Sequence, residues 1–406
     1  MACSSARASG TRIEGHFPLE FVVPTPKAAT KFSVDLDRAP FTVIWEVTRA
    51  CDLRCLHCRA DAQRWRHPSE LSTDEGRRLL EQVRDLESPV FIFTGGDPLR
   101  RLDLFELIDY AVRLGLNVAI TPSGTPLLTP AVVRRFREQG VRRMGLSLDG
   151  PDAESHDAFR QQPGSFLWSV TALKAARDCG LATQINTTVT RRNLHKLGRM
   201  AALVGDLGAA TWSLFFLVRV GRAQECDQLT SQEFEEVFAF LYELSQRVPY
   251  QVRTTAAPHY RRYVLQRQTE ERRRQAAGVL PLLGTIPQDV PGSMPRAVHG
   301  VTDGRGLMFI SHIGEVCPSG FLPLVAGNVR QASLAEIYRT APLFQALRDV
   351  TKWHGKCRDC EFVRVCGGSR ARAYAQYGDP LAEEPLCAYE PRSKRRGASV
   401  ASPVPQ

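Results

Sequence analysis

The chain has 406 residues, 43% apolar and 24% charged, enough apolar content for a buried core and too much for a disordered chain. No run of 18 apolar residues occurs and the first 20 residues lack an apolar signal-type stretch, so neither a membrane span nor secretion is expected and the chain reads as cytoplasmic. The net charge of +10 is partly local, at 261–275 and 392–397; it suits a solvated helix face and tail or an anionic partner, and with no RNA-binding signature or stacking motif beside it, nucleic acid is not expected.

Residues 1–38 carry no sustained period and read as irregular. A rhythm then begins. FTVIWEVT (41–48) is a β-rich run. STDEGRRLLEQVRDL (72–86) opens with a capping box, Ser72 to Glu75, and sets Leu79, Leu80, Val83 and Leu86 on one helical face. PVFIFTG (89–95) predicts a strand, and LDLFELIDYAVRLG (102–115) a helix stopped at Gly115. NVAITP (117–122) predicts a strand, and TPAVVRRFREQG (129–140) a helix capped by Thr129, with Pro130 in its first position and Gly140 as its stop. Further strands are predicted at 142–149, 182–189 and 211–218, with helices at about 165–178, 195–207 and 231–246.

Six β-then-α units predict an α/β chain with a parallel sheet and right-handed crossovers. Six suit a partial (β/α)6 TIM-like barrel over 39–248 better than a closed eight-fold one, with chemistry at the carboxyl ends of the strands. Residues 249–300 break the rhythm with a basic helix and a Pro/Gly-rich stretch, and read as a linker or substrate-covering segment. Residues 301–391 form a small cysteine-bearing module. In it GLMFISHIGEVCPSG reads as a hairpin and SLAEIYRTAPLFQALRD as helices; 392–406 reads as a disordered basic tail.

Eight of the 11 cysteines fall in two sets, Cys51/Cys55/Cys58 and Cys317/Cys357/Cys360/Cys366/Cys387. Clustered thiols in a large chain without secretion signals point to metal or redox chemistry. Cys3, Cys179 and Cys226 have no partners by spacing; Cys179 and Cys226 read as ordinary packing or surface thiols. The first set, C-x3-C-x2-C, follows the first strand and has no nearby fourth cysteine. Three thiolates can hold three irons of a [4Fe–4S] cluster and leave the fourth iron open. The alternative is a zinc knuckle closed by His57 or a remote group.

The loop after the first strand of a six-unit βα chain resembles that of the radical S-adenosylmethionine (radical SAM) superfamily. The resemblance implies that the open iron chelates SAM and that the reduced cluster cleaves it to a 5′-deoxyadenosyl radical, which takes hydrogen from substrate. It implies that Gly95, Gly96 and Asp97, in TGGDPL, hold the SAM amino group. It likewise implies that Ser147 in SLDG, Asn186 and Arg160 contact the ribose or carboxylate, and that His57 packs on the adenine. Trp45 reads as core.

CGGSRARAYAQYGDPLAEEPLC (366–387), with Cys357 and Cys360 ahead of it, resembles the SPASM/twitch module. That implies one auxiliary [4Fe–4S] cluster on Cys357, Cys360, Cys366 and Cys387, with Cys317 as a bystander or as a replacement for Cys387. A zinc ribbon is the alternative. Arg370, Arg372 and Tyr374 are expected around that site. The chain thus resembles the radical SAM branch of haem d1 and alternative-haem-pathway enzymes, which implies a tetrapyrrole substrate and a flavodoxin or ferredoxin as electron donor. A peptide maturase is the alternative, weakened by the roughly 40 residues before the first strand, too few for an autonomous leader-binding domain. A non-enzymatic electron carrier or regulator is a second alternative, opposed by the SAM-type motifs. Arg261, Arg262, His259 and Tyr260, with Arg219 and Arg222, would suit substrate carboxylates as bidentate partners or surface contacts.

Overall fold

The computed structural model describes residues 31–32, 34–277, 296–297 and 300–393. The expectations for 1–30, Cys3 included, for 278–295 and for 394–406 lie outside the described residues.

The parallel strands are β1 (Thr42–Glu46), β2 (Val90–Thr94), β3 (Val118–Ile120), β4 (Arg143–Ser147), β5 (Ala182–Val189) and β6 (Thr211–Phe216). Each pairs in parallel with the next, as the alternation of strand and helix predicts. Between them run α1 (Thr73–Asp85), α2 (Leu104–Arg113), α3 (Pro130–Glu138), α4 (Ala153–Arg160), α5 (Ser165–Asp178) and α6 (Leu197–Asp206), and α7 (Ser231–Ser245) follows β6. The predicted caps are present. Ser72 and Glu75 form the reciprocal box of α1, with bonds of 3.2 and 2.8 Å, and Thr129 caps α3 ahead of Pro130. The eight-residue helix α4 was not anticipated. Asp152 caps it by accepting from the Ser155 amide at 2.9 Å.

The period-2 pleat sorts the strand side chains. Val43 and Trp45 on β1, and Phe91 and Phe93 on β2, point outward and are fully buried under the helices. Thr42, Ile44, Ile92 and Thr94 point to the other face and line a cavity. Trp45 and Phe93 lie 5.9 Å apart in the outer core.

Two features correct the sequence reading. Residues 249–300 are not simply a linker: Gln251–Thr255 forms β7, parallel to β6 with Thr211 opposite Gln251, ahead of the expected basic helix, α8 (His259–Ala276). The run QVRTT carries little apolar signal because its inner residues face the cavity. Nor is the C-terminal module separate. Its hairpin strand β8 (Gly306–Ile310) lies parallel to β1, with Leu307 opposite Thr42, before turning into antiparallel β9 (Glu315–Cys317) and then β10 (Gly327–Asn328). The sheet therefore runs β10-β9-β8-β1-β2-β3-β4-β5-β6-β7, with eight consecutive parallel strands. Among the described residues β7 and β8 do not pair, so the barrel stays open. Helices α9 (Leu334–Thr340), α10 (Pro342–Arg348) and α11 (Arg370–Tyr377) complete the C-terminal part. No helix among the described residues is long and apolar enough to cross a membrane.

Candidate active site

A cavity of about 1070 Å³ opens at the carboxyl ends of the parallel strands. Cys51, Cys55 and Cys58 line it, in the loop after β1. That loop is braced from three directions. From β2, the amides of Gly96 and Asp97 donate to the carbonyls of Thr48 and Ala50 at 2.8 and 2.7 Å. From α4, the Phe159 carbonyl accepts from the Leu56 amide at 3.1 Å. From the segment after β6, the Arg222 amide donates to the Cys58 carbonyl and its Nε to the Cys55 carbonyl, both at 3.0 Å.

The glycines of TGGD have a steric reason to be there. A Cβ on Gly95 would stand 2.7 Å from the Thr48 carbonyl oxygen, and one on Gly96 would stand 2.6 Å from those of Arg49 and Ala50. Only bare backbone lets the two loops close on each other.

Each of the three sulfurs has a donor directed at it. The Leu53 amide reaches Cys51 Sγ at 3.4 Å, Arg160 Nη1 reaches Cys55 Sγ at 3.5 Å, and the Ala62 amide reaches Cys58 Sγ at 3.5 Å. All three cysteines are free. Burial, followed by the charge of Asp97, pushes the Cys51 thiol up to about 12, and burial raises Cys55 against the pull of Arg160. Burial thus disfavours the bare thiolates of Cys51 and Cys55, and a bound metal would deprotonate them. Sulfurs ringed by N–H donors fit an iron–sulfur group. Among the described residues no three His, Cys, Asp or Glu side chains converge where one ion could sit. A zinc knuckle would need sulfurs about 2.3 Å from a single centre.

Ser147 ends β4 and stands opposite Asn186, midway along β5, and both line the cavity. His57 lines it too, its ring 4.6 Å from that of Phe159. Burial and then the charges of Arg160 and Arg222 hold its pKa well below the usual value, so the imidazole is neutral. Arg160 lies on the wall between a salt bridge to Asp149 at 2.5 Å and the sulfur of Cys55. It supports a cysteine as well as facing the cavity. Ser123, which the sequence reading missed, donates to the Gly96 carbonyl at 2.7 Å and stands 3.6 Å from Cys51 Sγ.

Asp97, expected at the SAM amino group, is fully buried, does not line the cavity, and has a structural role of its own. Its Oδ1 accepts from the amides of Leu99 at 3.2 Å and Ser123 at 3.4 Å, and its Oδ2 from the Thr125 hydroxyl at 2.9 Å. The carboxylate fastens the loop after β2 to the loop after β3. Burial lifts its pKa to about 6, opposed by those hydrogen bonds.

The arginines expected at substrate carboxylates divide. Arg222 is spent on the cysteine loop, Arg219 on Glu225 and Gln376, and Arg262 on Glu235. Arg261 and Tyr260 line the cavity. Arg261 donates to the carbonyls of Val301 at 2.8 Å and Val365 at 3.2 Å.

Cys357, Cys360, Cys366 and Cys387 line one small second cavity, and Cys317 is not among its lining residues. Cys317 ends β9, buried near Glu315 and Arg59. The Glu384 amide reaches Cys357 Sγ at 3.2 Å and the Gly368 amide reaches Cys366 Sγ at 3.4 Å. Burial pushes Cys366 up to about 12 and Cys387 to about 11. Arg370 and Arg372 are fully buried beside this site, as expected. Arg372 pairs with buried Glu384 at 3.1 Å and donates to the carbonyls of Phe216 and Leu217, both at 3.3 Å, so the second site is tied to the end of β6. Cys179 is a half-buried free thiol; Cys226 is disulfide-bonded, not the free thiol expected.

Residues 45–204 match the Radical SAM superfamily, and residues 302–361 match the SPASM iron–sulfur cluster-binding domain. The chain is 45% identical to an AdoMet-dependent heme synthase of Nitratidesulfovibrio vulgaris, over 86% of this chain and 92% of that protein. It is 38% identical to an AdoMet-dependent heme synthase of Methanosarcina barkeri, over 89% of this chain and 100% of that protein. Among solved structures, Streptococcus suis SuiB bound to the precursor peptide SuiA shares the fold. The TM-score is 0.64 at 16% identity, covering 87% of this chain and 76% of that one.

Proposed function

The chain belongs to the radical SAM superfamily, and from that premise we propose that it is a haem synthase, converting propionate side chains of an iron porphyrin to vinyl groups. It is a radical SAM enzyme that uses a SAM-binding [4Fe–4S] cluster and further iron–sulfur chemistry in its C-terminal part. In this reading Cys51, Cys55 and Cys58 hold the SAM cluster, and Cys357, Cys360, Cys366 and Cys387 hold the auxiliary one. Backbone at Gly95 and Gly96, with Ser147, Asn186 and neutral His57, bounds the SAM site. When bound, the cluster and SAM supply a radical that removes one hydrogen atom from the substrate.

The observation that carries the substrate class is the cavity. Ligand sites for one drug-sized molecule run from about 300 to 1,000 Å³. A volume of about 1070 Å³ with a largely apolar wall leaves room for a flat macrocycle beside SAM. Arg261 stands on that wall with only carbonyl oxygens accepting from its guanidinium among the described residues. Its positive charge is therefore available to a propionate, which a guanidinium grips in a bidentate fork. The braced cysteine loop keeps the radical source in one position and the buried walls exclude water. Each propionate that becomes a vinyl group releases one hydrogen atom to the 5′-deoxyadenosyl radical, one CO2, and one electron, which an auxiliary cluster on Cys357, Cys360, Cys366 and Cys387 would accept. The electron that starts the reaction comes from an external carrier of the flavodoxin or ferredoxin kind.

The peptide reading is weaker: likeness to the haem synthases is at 38 to 45% identity, against 27 to 29% for peptide maturases and cyclases. Reduced, reconstituted protein given SAM and an iron-coproporphyrin should form 5′-deoxyadenosine, and the porphyrin should lose the elements of formic acid per converted side chain. An unchanged porphyrin, with a precursor peptide modified instead, would refute the proposal.

A further inference from the structure

His259 opens α8, is fully buried, and has no hydrogen-bond partner on either ring nitrogen. It lines the small cavity that Cys357, Cys360, Cys366 and Cys387 share. Two phenylalanines of α7 fix its ring: Phe234 is stacked on it at 5.1 Å, and Phe238 meets it edge-on at 4.9 Å. Burial pushes its pKa down to about 3, even with Glu384 nearby, while Arg372, Arg262 and Lys356 add to that push. Neutral or protonated, the imidazole carries an N–H to donate. A buried donor with no acceptor is costly and uncommon unless a group other than protein accepts from it. Arg370 serves the same site: its Nη1 donates to the carbonyls of Pro380 and Ala382, and its guanidinium also hydrogen-bonds the Cys357 thiol.

We propose that His259 donates a hydrogen bond to a sulfur of the auxiliary cluster held by these four cysteines, and that this bond raises the cluster's reduction potential. The inference rests on the four-cysteine assignment above. Four thiolates already close a cubane, which leaves His259 the role of donor, not ligand. Taking up one electron adds negative charge that spreads over the cluster sulfurs. An N–H aimed at one of them therefore favours the reduced state over the oxidised state. His259 is a positioning residue in this account, since it acts on the cluster and touches no substrate.

The test uses the full-length chain with Cys51, Cys55 and Cys58 replaced by Ala, so that the auxiliary signal stands alone. In that background His259→Phe keeps the aromatic packing and removes the donor. Iron should stay at the parent level. The ratio of reduced to oxidised cluster at fixed potential should fall about tenfold, a midpoint about 59 mV lower in a redox titration followed by electron paramagnetic resonance. His259→Gln restores an N–H and should recover most of the shift. An unchanged midpoint in His259→Phe with iron intact would overturn the proposal. Loss of auxiliary iron from both variants would overturn the donor role and make His259 a ligand or a packing requirement. Absence of auxiliary iron from the triple-alanine parent would instead overturn the four-cysteine assignment, and this inference with it.

Discussion

Replacing Asp97 separates a structural role from a cofactor-binding one. Asp97→Ala removes the acceptor for the Leu99 amide, the Ser123 amide and the Thr125 hydroxyl. At about 1 kcal/mol for each buried polar group left unpaired, the loss is about 3 kcal/mol. Asp97→Asn should cost far less. Its Oδ1 can take both amides and its Nδ2 can donate to the Thr125 hydroxyl, which also accepts. The carboxylate's pKa is raised by burial from 3.8 to about 6. A raised pKa means that the protonated form is favoured by folding. That stabilisation is fully present below the unfolded value and disappears as pH rises through about 6. Between pH 5 and pH 7.5 wild type therefore loses about 1 kcal/mol that the asparagine variant does not lose. Denaturant unfolding under anaerobic conditions at both pH values, with SAM affinity by equilibrium dialysis, reads the two effects. An alanine variant with unchanged stability and abolished SAM affinity would refute this reasoning and return Asp97 to the cofactor.

The remaining expectations concern sulfur and charge. Anaerobic reconstitution should give about eight iron and eight sulfide per chain, from two cubanes, and Cys51/Cys55/Cys58→Ala should abolish SAM cleavage while keeping the auxiliary absorption; zinc without a broad charge-transfer band would contradict it. Cys317→Ala should retain auxiliary iron, because Cys317 lies outside the cavity the other four share, whereas Cys387→Ala should lose iron or leave it open; iron analysis showing the reverse would reassign the ligands. Arg160→Met leaves Asp149 buried without its cation, and such breaks cost about 3–5 kcal/mol; a variant as stable as wild type in urea would show that the pair carries no such weight.

The legible parts of the chain were those whose side chains alternate against one core. β1 and β2 declared themselves through Val43, Trp45, Phe91 and Phe93, and α1 and α3 through their caps. β7 did not, since its residues line a cavity and carry the polarity of the site. α4 is short and mixed, so Arg160 could be named without the helix that aims it. The glycine pair was read correctly as a place for close backbone approach, but Asp97 was read from its neighbours in a motif. Its direction is set by Ser123 and Thr125 in the loop after β3, and that information is tertiary. The orphaned imidazole of His259 likewise has no local signature. The hairpin at 306–320 was visible as a hairpin, while its parallel partner was not, because register between β8 and β1 is fixed across most of the chain.

That last pairing sets a timetable. Thr42 leaves the ribosome early, and Leu307, its neighbour in the sheet, emerges only after the seven strands β1–β7 have been made. Until then β1, which leads straight into the first cysteine loop, has one open edge, and contacts this distant in sequence form slowly. Arg330 of the late-made part also closes on Glu75 of early-made α1 at 2.6 Å. Nascent chains halted before residue 300 should therefore be held by chaperones.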